Sequence, residues 1–369
     1  MAFYVLMLSR RRLLESGGAT LVGVLIGAGA WAVVVNLRPQ VTSTTFAAGP
    51  SASSSPSNTA RPTVPIACPL STVLQASPPN PNDPLPRNSA AMAYDALRHE
   101  VVLFGGDAGI GDLLGDTWVW NGSSWRQQNP VISPPARAYA QMTFDAKHGV
   151  VVLFGGGGGA GLDDTWTWDG SNWTEQNPAV RPPVAAGSAM DYDAALGQVV
   201  LVARGTGPGP QTWAWDGATW HQIPTAQSPR NHSTAMAYDP VAKRLVLFDH
   251  FDQATWTFGA AAGWSKATAL GPSQASLPTM AYDAATRSMV LFADGGPGAN
   301  WTWDGAAWTQ RCPAATPPML SSRGPHAAMA YDADARLMVV FGGAGATSLA
   351  SNATWTWDGT TWAQWHARP

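Results

Sequence analysis

The sequence contains few charged side chains for its length. They make up 12% of the 369 residues, and lysine occurs only at positions 147, 243 and 266. Long solvated helices need charged surfaces, so this composition argues against them, while the many glycines and prolines are typical of a turn-rich β protein. No helical period runs through the chain, which also argues against a coiled coil.

Basic residues are scarcer than acidic ones, especially beyond the N-terminus. Residues 1–38 hold four of the arginines and one glutamate, and without them the net charge is about −6. Binding of nucleic acid depends on lysine and arginine to neutralise phosphates. We therefore expect no nucleic-acid partner.

The residue patterns of common metal and cofactor sites are missing. The glycine run at 155–159 is not followed by Lys-Ser/Thr or by a helical pattern, so it does not predict a phosphate loop. Aspartates in the loop 107–116 and at 163–164 suit glycine-rich turns, and a calcium site is the alternative. The histidines show no metal-ligand spacing, and they lie at 99, 148, 221, 232, 250, 326 and 366. We expect no cofactor and no bound metal.

The N-terminal 38 residues have the layout of an export segment. Ser9-Arg10-Arg11-Arg12-Leu13-Leu14 precedes an apolar, Gly/Ala-rich run over 19–35, and the spacing resembles a twin-arginine export signal. The alternative is an uncleaved signal-anchor helix with its arginines in the cytoplasm. Both hypotheses place most of the chain outside the cytoplasm, secreted or membrane-anchored.

Residues 39–86 predict a linker, since Ser, Thr, Ala and Pro dominate it and cannot form a core. It contains Cys68, and the only other cysteine is Cys312. In an exported chain two thiols normally form a disulfide, so we expect Cys68 and Cys312 to be bonded.

Six repeats fill the remainder of the chain, from Arg87 to residue 369. They align on aspartates spaced 44 to 50 residues apart: Asp95, Asp145, Asp193, Asp239, Asp283 and Asp332. Each copy opens with a variant of Ala-Met-Ala-Tyr-Asp and continues with an apolar run such as Val101–Phe104, which predicts a strand buried on both faces. Two further strands follow, the first with Trp-x-Trp and the second with a late Trp.

An Asp-Gly or Asn-Gly pair joins these last two strands. In copy two, Trp168-Asp169-Gly170 predicts a two-residue type I′ turn in which Trp166 lies opposite Trp173. All three indoles of a copy then share one sheet face, so we interpret the tryptophans as packing between sheets rather than as a carbohydrate surface. These structural tryptophans include Trp118, Trp120, Trp125, Trp166, Trp168, Trp173, Trp213, Trp215, Trp220, Trp301, Trp303, Trp308, Trp355, Trp357 and Trp362.

Four strands per unit, repeated six times without helices, predict an all-β, six-bladed β-propeller over 87–369. A parallel β-helix and a β-sandwich are the alternatives. Both would have to explain why a four-strand unit recurs so regularly.

The repeats resemble kelch repeats, including those of the galactose oxidase propeller. Gly105-Gly106, Gly155-Gly156 and Gly342-Gly343 match the family's double glycine. The late tryptophan of each copy matches the Trp that lies late in the kelch repeat. Copies three and four depart from the pattern, with Ala203-Arg204 and Asp249-His250 at the glycine positions. The resemblance also implies a copper radical site, yet the required tyrosine, cysteine and histidine set is missing, so we do not expect that chemistry.

Binding is expected on one face of the propeller. Loops between second and third strands vary between copies and share that face with the connections between blades, whereas the other face carries short, uniform turns. Arginines and histidines near the starts of first strands are the candidate ligand contacts, with solvated rim residues as the alternative: Arg87, Arg137, Arg230, His232, Arg323 and His326.

The sequence favours an exported, monomeric, non-catalytic binding or interaction module at the cell surface, with an unidentified protein or glycan ligand. One alternative is a secreted carbohydrate-active enzyme or oxidase with a divergent site. The other is a cell-envelope scaffold that holds a partner protein.

Overall fold

A computed structural model of the chain describes residues 22–26, 30–34, 72–73, 82–109, 111–158, 161–183, 188–204, 209–230, 234–273, 275–294, 300–317, 327–343 and 350–365. The chain divides into two units, residues 1–62 and residues 63–369. All regular structure in the described residues is β-strand.

The described residues of the first unit form one antiparallel pair, β1 (Val22–Ile26) with β2 (Ala30–Val34). The signal-anchor hypothesis expected a helix here, but valine-rich segments separated by Gly-Ala-Gly favour a strand pair. Within the described part of the chain there is no helix with the length and apolarity needed to span a membrane. The arginine motif at 9–15 lies outside the described residues, and export stays a prediction.

The second unit contains six antiparallel sheets of four consecutive strands, which we call blades 1 to 6. A short strand, β3 (Thr72–Val73), precedes them. Blade 1 contains β4 (Ala91–Asp95), β5 (Glu100–Asp107), β6 (Leu113–Trp120) and β7 (Trp125–Gln128). Blade 2 contains β8 (Gln141–Asp145), β9 (Val150–Phe154), β10 (Thr165–Trp168) and β11 (Trp173–Gln176). Blade 3 contains β12 (Ala189–Asp193), β13 (Gln198–Arg204), β14 (Pro210–Trp215) and β15 (Trp220–Ile223).

The remaining blades continue in the same strand order. Blade 4 contains β16 (Thr234–Asp239), β17 (Arg244–Asp249), β18 (Ala254–Gly259) and β19 (Gly263–Leu270). Blade 5 contains β20 (Ser276–Asp283), β21 (Ser288–Asp294), β22 (Asn300–Trp303) and β23 (Trp308–Arg311), and the short strand β24 (Ala315–Thr316) follows it. Blade 6 contains β25 (Ala328–Asp332), β26 (Leu337–Phe341), β27 (Thr354–Trp357) and β28 (Trp362–Gln364).

The blades close into a ring. The first strand of each blade packs against the first strand of the next, and β25 of blade 6 packs against β4 of blade 1. Second strands are buried on both faces, as expected: Val101, Val102 and Leu103 have no exposed surface. The apolar clusters lie between consecutive blades, as in the one that joins Phe104 of blade 1 to Trp173 of blade 2. These features confirm the predicted all-β, six-bladed propeller.

The predicted register of the tryptophan hairpin is wrong by two residues. Trp168 pairs with Trp173, and Trp166 pairs with Glu175. The loop has four residues because the Asp169 carboxylate accepts hydrogen bonds from the N–H groups of Ser171 and Asn172, at 2.7 and 2.8 Å. Of the Asp-Gly pair, only the glycine has a positive φ. The three indoles still share one face, as predicted, since both registers keep the same parity.

A repeated hydrogen bond links each blade to its neighbour. The indole N–H of the late tryptophan donates to a buried side-chain oxygen on the third strand of the preceding blade. Five of these acceptors are threonine hydroxyls and one is the Asn300 amide oxygen, at 2.6 to 3.1 Å: Trp173 to Thr117, Trp220 to Thr165, Trp264 to Thr212, Trp308 to Thr255, Trp362 to Asn300, and Trp125 to Thr354. The last of these joins blade 1 to blade 6 and closes the ring.

The aspartates that mark the repeat cap the short turn after each first strand. Asp95 is buried, and its carboxylate accepts hydrogen bonds from the N–H groups of Leu97 and Arg98. In blades 1 and 6, the tyrosine directly before this aspartate reaches the turn of the preceding blade. Tyr331 accepts a hydrogen bond from the N–H of Ala285, and Tyr94 donates to Asp334.

The segment before blade 1 pairs with the segment after blade 5, since β3 and β24 are parallel partners. Cys312 lies between β23 and β24 and is disulfide-bonded. Cys68 lies outside the described residues, so its pairing with Cys312 stays a prediction, one that the adjacent strand pair supports.

Thr354 tests the bond that closes the ring. Thr354→Val keeps the side-chain shape but leaves the buried N–H of Trp125 without its acceptor, so we expect a loss of about 1–3 kcal/mol in the free energy of unfolding. Thr356→Val, on the same strand and partly exposed, should change it by less than about 0.5 kcal/mol. Urea unfolding followed by tryptophan fluorescence measures both, and equal effects would contradict the role of the bond.

Phe144 is the one first-strand residue at the tyrosine position that lacks a hydroxyl. Phe144→Tyr should add a bond to the N–H of Leu97, equivalent to the one between Tyr331 and Ala285, and should stabilise the protein by up to about 1 kcal/mol. Tyr331→Phe is the reverse control and should destabilise by a similar amount. Thermal and urea unfolding compare the two, and a neutral result for both would show that these bonds contribute nothing.

Candidate functional site

The first strands of the blades enclose a central channel. Six methionines, one from each first strand, separate the channel into two cavities. Each methionine pairs with the third residue of a second-strand apolar run, so all six lie at one level: Met92, Met142, Met190, Met236, Met280 and Met329. They are 6–8% exposed and line a cavity on either side. We call these the mouth cavity, on the face of the blade connections, and the turn-side cavity, on the face of the short turns.

The mouth cavity has a volume of about 200 Å³ and an uncharged lining. Every lining residue that the structure describes is neutral. Besides alanines and the methionines, the wall carries hydroxyl and amide groups from several blades: Ser89, Tyr139, Gln141, Ser188, Thr234 and Thr279. These side chains can donate and accept hydrogen bonds, and none of the described lining residues is a carboxylate or an imidazole that could perform acid–base chemistry.

Tyr139 stands out on this wall because it is 52% exposed and has a left-handed backbone, with φ of 61°. Ser89, at the equivalent position in blade 1, has φ of 54°. The N–H of Tyr139 donates to the carbonyl of Ser89 at 2.9 Å, which ties the two positions together. Left-handed non-glycine residues cost free energy and often lie at functional sites.

The double glycines let the connections pass close to the blades. A Cβ on Gly105 would lie 2.5 Å from the carbonyl oxygen of Arg137, and the N–H of Gly106 donates to that same oxygen at 2.8 Å. Where copy four lacks the glycines, the Asp249 carboxylate accepts a hydrogen bond from the N–H of Arg230 instead. The glycine pattern therefore has a structural explanation, which is the close approach between a blade and a connection.

Arg87 and Arg137 do not lie at an open rim, contrary to the ligand contacts expected from the sequence. Arg137 is 1% exposed, and its guanidinium forms a two-pronged ion pair with Asp164 at 2.6 and 2.8 Å. Arg87 is fully buried and pairs in the same way with Asp116. Both also donate to a carbonyl of the double glycine. Their donors are engaged within the fold, so they anchor the connections and are unavailable to a ligand.

These ion pairs shift the titration of their carboxylates. Burial would raise the pKa of Asp164, but hydrogen bonds from Arg137 and from the indole of Trp166 outweigh it and hold the pKa below its ordinary value. The pKa of Asp116 is lowered against burial in the same way, by Arg87 and Trp118. Both aspartates are therefore structural anions.

The other predicted contacts are not brought together. Arg230 has an exposed side chain, 3.3 Å from Asp252, and lines neither cavity. His232, Arg323 and His326 lie outside the described residues. The predicted set therefore does not form one site within the described part of the chain.

The aspartate-rich loops use their carboxylates in protein contacts. Asp107 accepts hydrogen bonds from Gly109 and Gly111, and Asp163 pairs with Arg181 at 3.2 Å. Across the described residues, no three His, Cys, Asp or Glu side chains come together as a metal site.

No sequence motif marks the residues that line the channel. Tyr139 and Asp191 matter because they differ from their equivalents in other copies: Ser89 matches Tyr139, and alanine matches Asp191 in blades 1, 4, 5 and 6. Comparison of the repeats position by position carries this signal, whereas a search for motifs does not.

Comparison with known proteins supports the fold only. No protein-family model matches the sequence, and no curated protein matches it. A solved structure titled "Structure of YjhT" is similar with a TM-score of 0.57 at 13% identity, over 78% of this chain and 99% of that chain. The chain has a β-propeller fold. Membership of the kelch family is not shown.

The Arg137–Asp164 pair gives a stability test. Arg137→Met leaves a largely buried carboxylate unpaired, so we expect a loss of about 3 kcal/mol at pH 7. The loss should shrink as the pH falls to 4, because the variant's carboxyl, whose pKa is now governed by burial, gains a proton in the folded state. The wild type keeps most of the stability due to its low Asp164 pKa at pH 4, since that stability is lost only below the ordinary pKa of an aspartate. Urea unfolding at both pH values measures this.

Arg126→Met is the control, since Arg126 is exposed and lies 3.8 Å from Glu100. It should cost less than about 0.5 kcal/mol at either pH. A loss for Arg137→Met that stays below about 1 kcal/mol would show that the buried pair does not hold the connection.

Proposed function

We propose that this chain is an exported, kelch-like and non-catalytic binding module whose mouth cavity holds part of a neutral carbohydrate. Export rests on the arginine motif and apolar run of residues 1–38. The disulfide-bonded Cys312 is consistent with it, because disulfides persist in oxidising compartments.

The observation that carries the proposal is an exposed aromatic ring beside an uncharged wall of hydroxyl and amide groups. Sugars present hydroxyls for hydrogen bonds and apolar C–H faces for aromatic rings. Tyr139 offers the ring, while Gln141 and Thr279 of the mouth cavity offer hydrogen-bonding groups. An anionic ligand is less suited to this wall, since the buried arginines cannot turn towards it.

The scaffold also favours binding over catalysis. The connections that carry Arg87 and Arg137 are held by buried ion pairs and close backbone contacts, so this part of the wall is already ordered before a ligand binds. The described lining has serine, threonine and tyrosine hydroxyls, but none of its residues is a carboxylate, imidazole or amine that could activate such a hydroxyl as a nucleophile.

A protein partner is the second candidate, supported by apolar side chains on two successive connections. Val131, Ile132 and Val180 are 92%, 57% and 49% exposed. Exposed apolar residues on neighbouring loops are typical of interaction surfaces when they form a contiguous patch. This would suit the envelope-scaffold alternative.

Tyr139→Ser tests the carbohydrate proposal. The full-length protein is screened against neutral oligosaccharides, and the best one is titrated by calorimetry. Loss of the aromatic ring should weaken binding at least tenfold, equivalent to about 1.4 kcal/mol. Serine already occupies the equivalent left-handed position in blade 1, so the fold should persist.

Phe251→Ser is the matched control, because Phe251 is 66% exposed but does not line the mouth cavity. It should bind as the wild type does, within twofold. Binding that survives Tyr139→Ser but fails when Val131 and Ile132 become serine would favour the protein-partner candidate.

A further inference from the structure

The turn-side cavity differs in chemistry from the mouth cavity, although the same six blades form both. Its volume is about 230 Å³, and its lining includes one carboxylic acid, Asp191, together with the aromatic residues Tyr94, Phe144, Tyr282 and Tyr331. The mouth cavity has no such charge among its described residues. A cavity of this size holds a small organic molecule, since an engineered cavity of about 150 Å³ binds benzene.

Asp191 accepts hydrogen bonds from three groups of the protein. One of its oxygens accepts hydrogen bonds from the Thr143 hydroxyl, at 2.6 Å, and from the N–H of Tyr192, at 2.8 Å. The other accepts the N–H of Tyr238 in the next blade, at 2.8 Å. The short bond from Thr143 is typical of a hydroxyl donating to a charged oxygen. Burial raises the pKa of Asp191 above its ordinary value, although the three hydrogen bonds act to lower it.

The carboxyl group of Asp191 has no cationic partner within the described part of the chain. No arginine, lysine or histidine described there lies within ion-pair distance of Asp191, and the charged group that acts on it is another acid, Asp193. Burial without a counter-charge favours the protonated acid, whereas a cation in the cavity would favour the ionised carboxylate. Binding of a cation and loss of the proton from Asp191 are therefore coupled.

Backbone groups at the same level reinforce this preference. The bonds to Asp191 show that the N–H groups of Tyr192 and Tyr238 point into the channel, away from their own second strands. In an antiparallel pair the carbonyl of such a residue points the same way. Carbonyl oxygens at the tyrosine level therefore face the channel, while Asp191 already occupies two of the N–H groups.

We propose that the turn-side cavity binds a small organic ammonium ion, whose positive group pairs with Asp191 and lies against the surrounding aromatic rings. Aromatic faces attract organic cations, and a carboxylate beside them supplies the charge complement. This site is separate from the mouth cavity, because the methionine level lies between them, and it does not depend on the carbohydrate proposal.

The test uses the full-length protein and tetramethylammonium chloride as the probe, with sodium and potassium chloride at matched ionic strength. Calorimetry should show saturable binding of tetramethylammonium at least tenfold tighter than that of either metal ion. The amide NMR signals of Tyr192 and Tyr238 should shift with the same titration, because their N–H groups donate to Asp191.

Two variants separate charge from shape. Asp191→Ala installs the residue that blades 1, 4, 5 and 6 carry, so the first strand should still form, and it should weaken binding at least tenfold. Thr143→Ala removes one donor but keeps the charge, and binding should stay within threefold of the wild type.

Three results would overturn the proposal. The first is no saturable binding to the wild type, and the second is binding of sodium or potassium as tight as that of tetramethylammonium, which would indicate an inorganic cation site. The third is equal affinity of Asp191→Ala and wild type. The comparison of cations on the wild type stands even if the variant fails to fold.

Discussion

The ring depends on one contact made six times, the buried hydrogen bond from an indole N–H in one blade to a side-chain oxygen in the blade before. A propeller blade alone cannot bury its tryptophan face, so neighbouring blades must register against each other. Apolar packing is not directional, whereas this bond fixes the height at which two blades meet. The hydrogen bond from Trp125 to Thr354 does the same between blade 1 and blade 6, which no connection of the chain joins directly.

With the blades held this way, the loops and channel are free to differ. Blades 1 and 2 fasten their connections with the buried pairs of Arg87 and Arg137, and blade 4 uses Asp249 on a backbone N–H. The channel carries Asp191 in one blade and alanine at the same position in four others. A nearly symmetric scaffold thus holds an asymmetric lining, and a ligand in either cavity would meet different chemistry from each blade.

The sequence predicts the repeat period, the four strands and the buried second strand, because each rests on a local pattern of side chains. It does not predict the hairpin register, since the Asp169 side chain replaces a backbone turn bond and lengthens the loop. Nor does it show that Arg137 is buried. Asp164 lies 27 residues further along the chain, and only the fold brings the two together.

Copy four shows why some tryptophans tolerate replacement. Among the described residues, the indole N–H groups of the second tryptophan in Trp-x-Trp find no acceptor in four blades, at Trp168, Trp215, Trp303 and Trp357. These rings act by packing, as in the tilted contact of Trp168 with Trp173, so Phe258 of copy four loses no hydrogen bond and packs on Trp264 at 5.1 Å. The late tryptophan has a donor to satisfy, and every copy retains it. Copy five changes the acceptor instead, from threonine to Asn300, and the bond survives because an amide oxygen accepts as a hydroxyl does.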